Sequence, residues 1–161
     1  MGAYYTMGIP AYFSHIIKNY PKIIQKFQRK NAIQQLYLDS NSIVYDALRA
    51  IEYNGKDDDF ERKLVNAVCK KIETYIQQIS PTHLVYIAFD GVAPVAKLDQ
   101  QKNRRYKSWF INQYEKSDKQ VWNSTAITPG TDFMNKLNLQ VRYHFRKPSD
   151  FNVRKIIISG S

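Results

Sequence analysis

Two short apolar runs, "LYLD" at 36–39 and "LVYIAFD" at 84–90, each close on an aspartate, with a long amphipathic segment between them. The first lies in "QQLYLDSNSIVYDAL", which reads as a strand from Gln35 to Asp39, a turn at Ser40 and Asn41 that can cap a helix, and a helix from about Ser42. Between Phe60 and Ile79 the apolar residues Phe60, Leu64, Val68, Ile72, Tyr75, Ile76 and Ile79 recur at helical spacing, with charged residues on the other faces. "THLVYIAFDG" follows Pro81 as a nearly continuous apolar run, the pattern of a strand covered on both faces. "TPGTDFMNKL" then supplies Thr131 as a helix N-cap, and "RKIIISGS" reads as a further strand. Alternation of strand and helix predicts an α/β fold with a mainly parallel sheet flanked by helices, whose ligands bind beyond the carboxyl ends of the strands. Asp39 and Asp90, each closing its strand, are expected at that edge.

The length of 161 residues and an apolar share of 43% suit one globular domain with a core. Twenty-four Lys and Arg against 14 Asp and Glu give a net charge of +10, which favours a polyanionic partner, nucleic acid before an anionic membrane surface. Cys69 is the single cysteine, so no intrachain disulfide framework is expected, and it reads as a small core residue. No apolar run reaches the roughly 20 residues of a membrane span, and "MGAYYTMGIPAYF" lacks the features of a signal peptide. The expectation is a soluble intracellular protein, cytoplasmic or nuclear, with no membrane partner. His15, His83 and His144 are scattered, which argues against zinc. Asp57, Asp58 and Asp59 read as a solvated loop, with Asp58 or Asp59 available to cap the long helix.

The densest chemistry follows Asp90, in "FDGVAPVAKLDQQKNRRYKSW". If about Ala96 to Gln113 is helical, Lys97, Gln101, Arg104 and Arg105 fall within about a third of the circumference. Leu98, Tyr106, Trp109 and Phe110 then point broadly the other way, towards a core, with Lys102 at the border. Two guanidinium forks, an ammonium and an amide on one stripe suit a phosphate monoester. The same stripe also suits a solvated basic face. Asp39 and Asp90 have two readings as well. Carboxylates at sheet ends coordinate Mg²⁺, and Asp-Gly is also a common turn dipeptide.

Four blocks bear on these alternatives. From Met7, "MGIPAYFSHIIKNYP" resembles the opening of the Xrn-type 5'→3' exoribonucleases, "LYLDSNSIVY" their first catalytic-aspartate motif, "FDGVAPVAKLDQQKNRRYK" their phosphate-pocket motif, and "WNSTAITPGTDFM" a further family segment, all in family order. The resemblance implies a PIN/FEN-like nuclease core over residues 7–161, with 1–6 as an N-terminal extension. It implies Asp39 and Asp90 as catalytic, metal-coordinating acids for Mg²⁺, with Mn²⁺ as an alternative. It also implies Lys97, Gln101, Arg104 and Arg105 as a pocket for the 5'-monophosphate of single-stranded RNA. Tyr45 stands where the family typically has a base-stacking histidine, and a tyrosine ring can also stack.

A two-metal hydrolysis needs a cage of several carboxylates. In the family, two glutamates follow the segment matching "SGS", and further aspartates come later, whereas the sequence reaches Ser161 just before them. The nuclease core is therefore expected to be incomplete at its C-terminal side. The 161 residues alone are expected to hydrolyse RNA poorly, with a downstream segment or a second chain supplying the missing acids. The alternative is a non-catalytic RNA-binding relic of the nuclease domain.

Overall fold

A computed structural model of the chain describes residues 11–28, 32–91, 98, 99, 102, 103, 106, 107, 110 and 122–160. The chain divides into two compact units, Met1–Asn31 and Ala32–Ser161. The first contains α1 (Tyr12–Asn19) and a 3-10 turn at Pro21–Ile23, where proline's fixed φ suits a first helical position. Its described residues include no buried side chain, and Asn19 donates to the His15 carbonyl at 2.8 Å.

The second unit holds a parallel three-stranded sheet in the order β1 (Gln35–Asp39), β2 (Leu84–Ala88), β3 (Lys155–Ser159). The register pairs Asp39 with Ala88 and Ala88 with Ser159, so the three strands end level. Three α-helices of this unit are described from end to end, α2 (Asn41–Ala50), α3 (Asp57–Ile79) and α4 (Asp132–His144). Helix α3 packs on both α2 and α4. Its Phe60, Leu64, Val68, Ile72 and Ile76 are buried, as their spacing predicts, and Val85 and Ile87 of β2 belong to the same core. Trp122 sits between Phe60 and Phe133, with ring centroids 5.4 and 5.1 Å away. Cys69 is buried too. Burial, and then the negative charge of Glu73, push its thiol up to about 11, so it stays protonated as a small core residue.

Three expectations are corrected by the packing. The strand after Pro81 is not buried on both faces: Val85 and Ile87 are buried, while Leu84, Tyr86 and Ala88 are half-buried and Tyr37 on β1 is 62% exposed. One face of the sheet therefore carries the core. The acid triplet is the first turn of α3 rather than a loop before it, because three carboxylates are favourable beside the helix's positive end. Neither Asp58 nor Asp59 caps the helix; Lys56 holds that position without a side-chain bond. Thr131 does cap α4, its Oγ1 accepting from the Met134 N–H at 3.4 Å. Beyond β3, a Cβ at Gly160 would lie 2.6 Å from Asn138 Nδ2 and 3.2 Å from Phe89 Cβ, so the absence of a side chain lets β3 end against Phe89.

Candidate active site

The carboxyl edge of the sheet carries one predicted acid, Asp39, at the end of β1 and the other, Asp90, in the loop beyond β2. Asp39 is the last residue of β1 and is exposed. The ladder continues one step further, with Ser40 N–H donating to the Ala88 carbonyl at 2.8 Å. Ser42 Oγ donates to the Asp39 carbonyl at 3.2 Å as α2 begins. Asp90 does not close β2. It lies two residues beyond Ala88, and Phe89 between them still donates its N–H to the Ser159 carbonyl of β3 at 2.9 Å. The Asp90 N–H in turn donates to Asn41 Oδ1 at 3.1 Å.

Among the described residues, neither the Asp39 nor the Asp90 carboxylate has a hydrogen-bond or ion-pair partner. Two exposed acids left without counter-charges in a chain of net +10 suit a hard cation, which takes oxygen ligands. A larger cluster is absent from the described residues, which contain no group of three or more His, Cys, Asp or Glu placed to hold a metal. The two carboxylates supply oxygen donors of the kind a hard divalent ion takes, short of a complete two-metal cage.

The turn itself differs from its predicted form. Ser40 flanks α2, yet its side chain makes no capping bond, and its Oγ is buried with no hydrogen-bond partner. Asn41 is the first helical residue, and its side chain is committed to Asp90 instead of to the helix start. By residue type and position, both are expected to cap the helix. The Asn41–Asp90 contact spans 49 positions, so no local pattern could have signalled it.

Lys97, Gln101, Arg104, Arg105 and Trp109 lie outside the described residues. Their described neighbours Leu98, Asp99, Lys102, Asn103, Tyr106, Lys107 and Phe110 are helical, in line with the helix expected there. Leu98, Tyr106 and Phe110 do not hold that segment against a core; they are 41%, 60% and 56% exposed. Positions four apart share a helix face, and Lys102 stands in the middle of this one, its ammonium 6.0 Å from the Tyr106 ring centroid. A cation at that position keeps the stripe in water. Tyr45 lies on α2, whose buried residues are Ile43, Val44 and Ala47, and is 41% exposed rather than part of the core.

A model of the XRN 5'-3' exonuclease N-terminus matches residues 7–161. The chain belongs to this family. Among XRN relatives, 5'-3' exoribonuclease 1 of Saccharomyces cerevisiae is 35% identical, the match covering 96% of this chain and 11% of that protein. The Schizosaccharomyces pombe 5'-3' exoribonuclease 1 is 30% identical over 96% of this chain and 13% of its own length. For the Candida albicans 5'-3' exoribonuclease 2 the figures are 31%, 85% and 18%. The chain therefore spans between 11% and 18% of the length of these XRN proteins. The parallel sheet and its flanking helices are the α/β architecture expected of such a domain. No helix among the described residues is long and apolar enough to cross a membrane.

Proposed function

We propose that this chain carries the substrate-entry part of a 5'→3' exoribonuclease site that acts inside the cell on single-stranded, 5'-monophosphorylated RNA. The nuclease domain starts at Met7, and residues 1–6 precede it as an extension. The reading is carried by one observation: Asp39 at the end of β1 and Asp90 in the loop just beyond β2 lie at the carboxyl edge of the sheet with no described partner for either carboxylate. Asp39 pairs with Ala88, and Asp90 follows two residues later with its N–H held by Asn41, so both acid-bearing loops belong to one edge of the sheet, where an oxygen-preferring cation is expected to bind. Asp39 and Asp90 would hold Mg²⁺, or Mn²⁺ in its place. When bound, such an ion lowers the pKa of water and offsets charge on a phosphodiester oxygen.

The chain's own residues divide the remaining work. Lys97, Gln101, Arg104 and Arg105 receive the terminal phosphate, the two guanidinium groups gripping its oxygens in pairs and the lysine adding a point charge. Tyr45, exposed on α2, offers a ring on which the terminal base stacks. With no third metal-binding acid grouped with these two among the described residues, hydrolysis draws further carboxylates from a downstream segment or a second chain. The 161-residue chain alone then binds 5'-phosphorylated RNA while cleaving it slowly or not at all.

The test is a pair of titrations on RNAs differing only at the 5' end. Arg104→Ala or Arg105→Ala is expected to weaken binding of the 5'-phosphorylated RNA by on the order of 1.5–3 kcal/mol and to leave 5'-hydroxyl RNA nearly unchanged. Equal losses on the two RNAs, with steep salt dependence, would reduce the stripe to an unspecific basic face. Rapid processive decay of 5'-phosphorylated RNA by the chain alone would remove the need for outside carboxylates.

A further inference from the structure

The bond that joins the two acid-bearing loops is made by neither aspartate side chain. Phe89 is buried and bonded to β3, so the chain is anchored up to the residue before Asp90. Gly91, on the other side, is exposed, and a Cβ there would meet nothing within 4 Å. Asp90 thus lies between a fixed residue and open space. Among the described residues, its one hydrogen bond to the rest of the fold is from its N–H to Asn41 Oδ1 at 3.1 Å.

The acceptor is itself well held. Ser40 N–H donates to the Ala88 carbonyl at 2.8 Å, Val44 N–H donates to the Ser40 carbonyl at 3.2 Å, and Ile43 and Val44 anchor the first turn of α2 in the core. The Asn41 amide is therefore a brace from the turn that carries Asp39 to the loop that carries Asp90.

We propose that Asn41 is a positioning residue that sets Asp90 relative to Asp39; this inference rests on the metal-site reading above. Partners that orient ligands from outside the first coordination sphere typically contribute between one and two orders of magnitude to metal affinity. The bond is solvent-exposed and contributes little to overall stability, so its effect falls on site geometry.

The experiment uses the full 161-residue chain, Mn²⁺ alone as the probe in calorimetric titration, and amide hydrogen exchange by NMR. Asn41→Ala is expected to weaken Mn²⁺ binding by about tenfold or more. It should also speed exchange of the Asp90 amide while the Val85 and Ile87 amides of β2 stay protected. Asn41→Asp keeps an acceptor oxygen, so its Asp90 amide should exchange slowly and its Mn²⁺ affinity should be at least that of the unmodified chain. Should Asn41→Ala lose the protection of Val85 and Ile87, Asn41→Asp decides alone. An Asn41→Ala chain that binds Mn²⁺ normally, while Asp39→Asn and Asp90→Asn lose it, overturns the brace and leaves the metal site standing. Normal binding by Asp39→Asn and Asp90→Asn overturns both. Loss of Mn²⁺ affinity in Asn41→Asp as large as that in Asn41→Ala also contradicts the brace.

Discussion

The carboxyl edge of the sheet and the first turn of α3 are both acidic, and they treat their acids in opposite ways. At the start of α3, Asp59 accepts from Arg62 at 2.7 Å, lies 2.7 Å from the Lys63 ammonium, and accepts from Asn54 at 2.9 Å. Asp57 accepts from the Tyr53 hydroxyl at 2.6 Å, which, chiefly through that bond, raises the tyrosine's pKa. Asp58 has Lys136 3.9 Å away. At the sheet edge, no described residue compensates Asp39 or Asp90. An acid that the fold neutralises serves the fold, whereas one left without a counter-charge is available to something the chain does not supply.

The sharpest way to break this contrast is to remove the acids one region at a time. Asp39→Asn or Asp90→Asn should cut Mn²⁺ affinity by about a hundredfold, since each removes a charged oxygen donor from the ion, while thermal stability stays nearly constant. Asp58→Asn should leave Mn²⁺ affinity unchanged. Equal effects in the two regions, read by calorimetric titration and thermal melting, would erase the distinction.

A smaller effect sharpens it through pH. Hydrogen bonds from Lys63, Arg62 and Asn54, in that order, hold the Asp59 carboxyl well below the usual carboxylate range. A carboxyl whose folded pKa is depressed contributes stability above its unfolded pKa, near 3.9, and loses it as pH falls further towards the folded value. Asp59→Asn should therefore melt at lower temperature than the unmodified chain at neutral pH, and the gap should begin to close only below about pH 4. A gap that is constant from neutral pH into strong acid would show that the charge of Asp59 plays no part.

The smallest effect belongs to Ser40. Its hydroxyl is buried without a partner, so Ser40→Ala removes a desolvated polar group and should leave stability unchanged or raise it by up to about 1 kcal/mol, measured by chemical denaturation. A loss of more than that would mean the hydroxyl is bonded after all.

The same two regions show what could be read from the chain before its fold. Strand β1 occupies Gln35–Asp39 as its apolar pattern predicts, and the buried stripe of α3 follows its 3.6-residue period, because both are local consequences of side-chain spacing. Thr131 at the start of α4 was equally local. What escaped depended on partners distant in sequence. Asp90 falls two residues past the end of β2, and the half-exposed face of the sheet depends on where the helices lie. Asn41 looked like a cap because residues of its type bond nearby backbone at helix starts, but its acceptor reaches Asp90 instead. Lys102 decided against Leu98 and Tyr106 as core residues, a conflict visible in the helical spacing and resolved in favour of solvent.

The central claim, that the two unpaired aspartates share a divalent ion, is tested most directly by following paramagnetic broadening as substoichiometric Mn²⁺ is added to the isotopically labelled chain. The amide signals of Ser40, Asn41 and Asp90 should broaden together and first, before those of Asp57, Asp58 and Asp59, and Asp39→Asn should abolish the effect. Broadening centred on the start of α3, or spread evenly over the acidic residues, would contradict the claim.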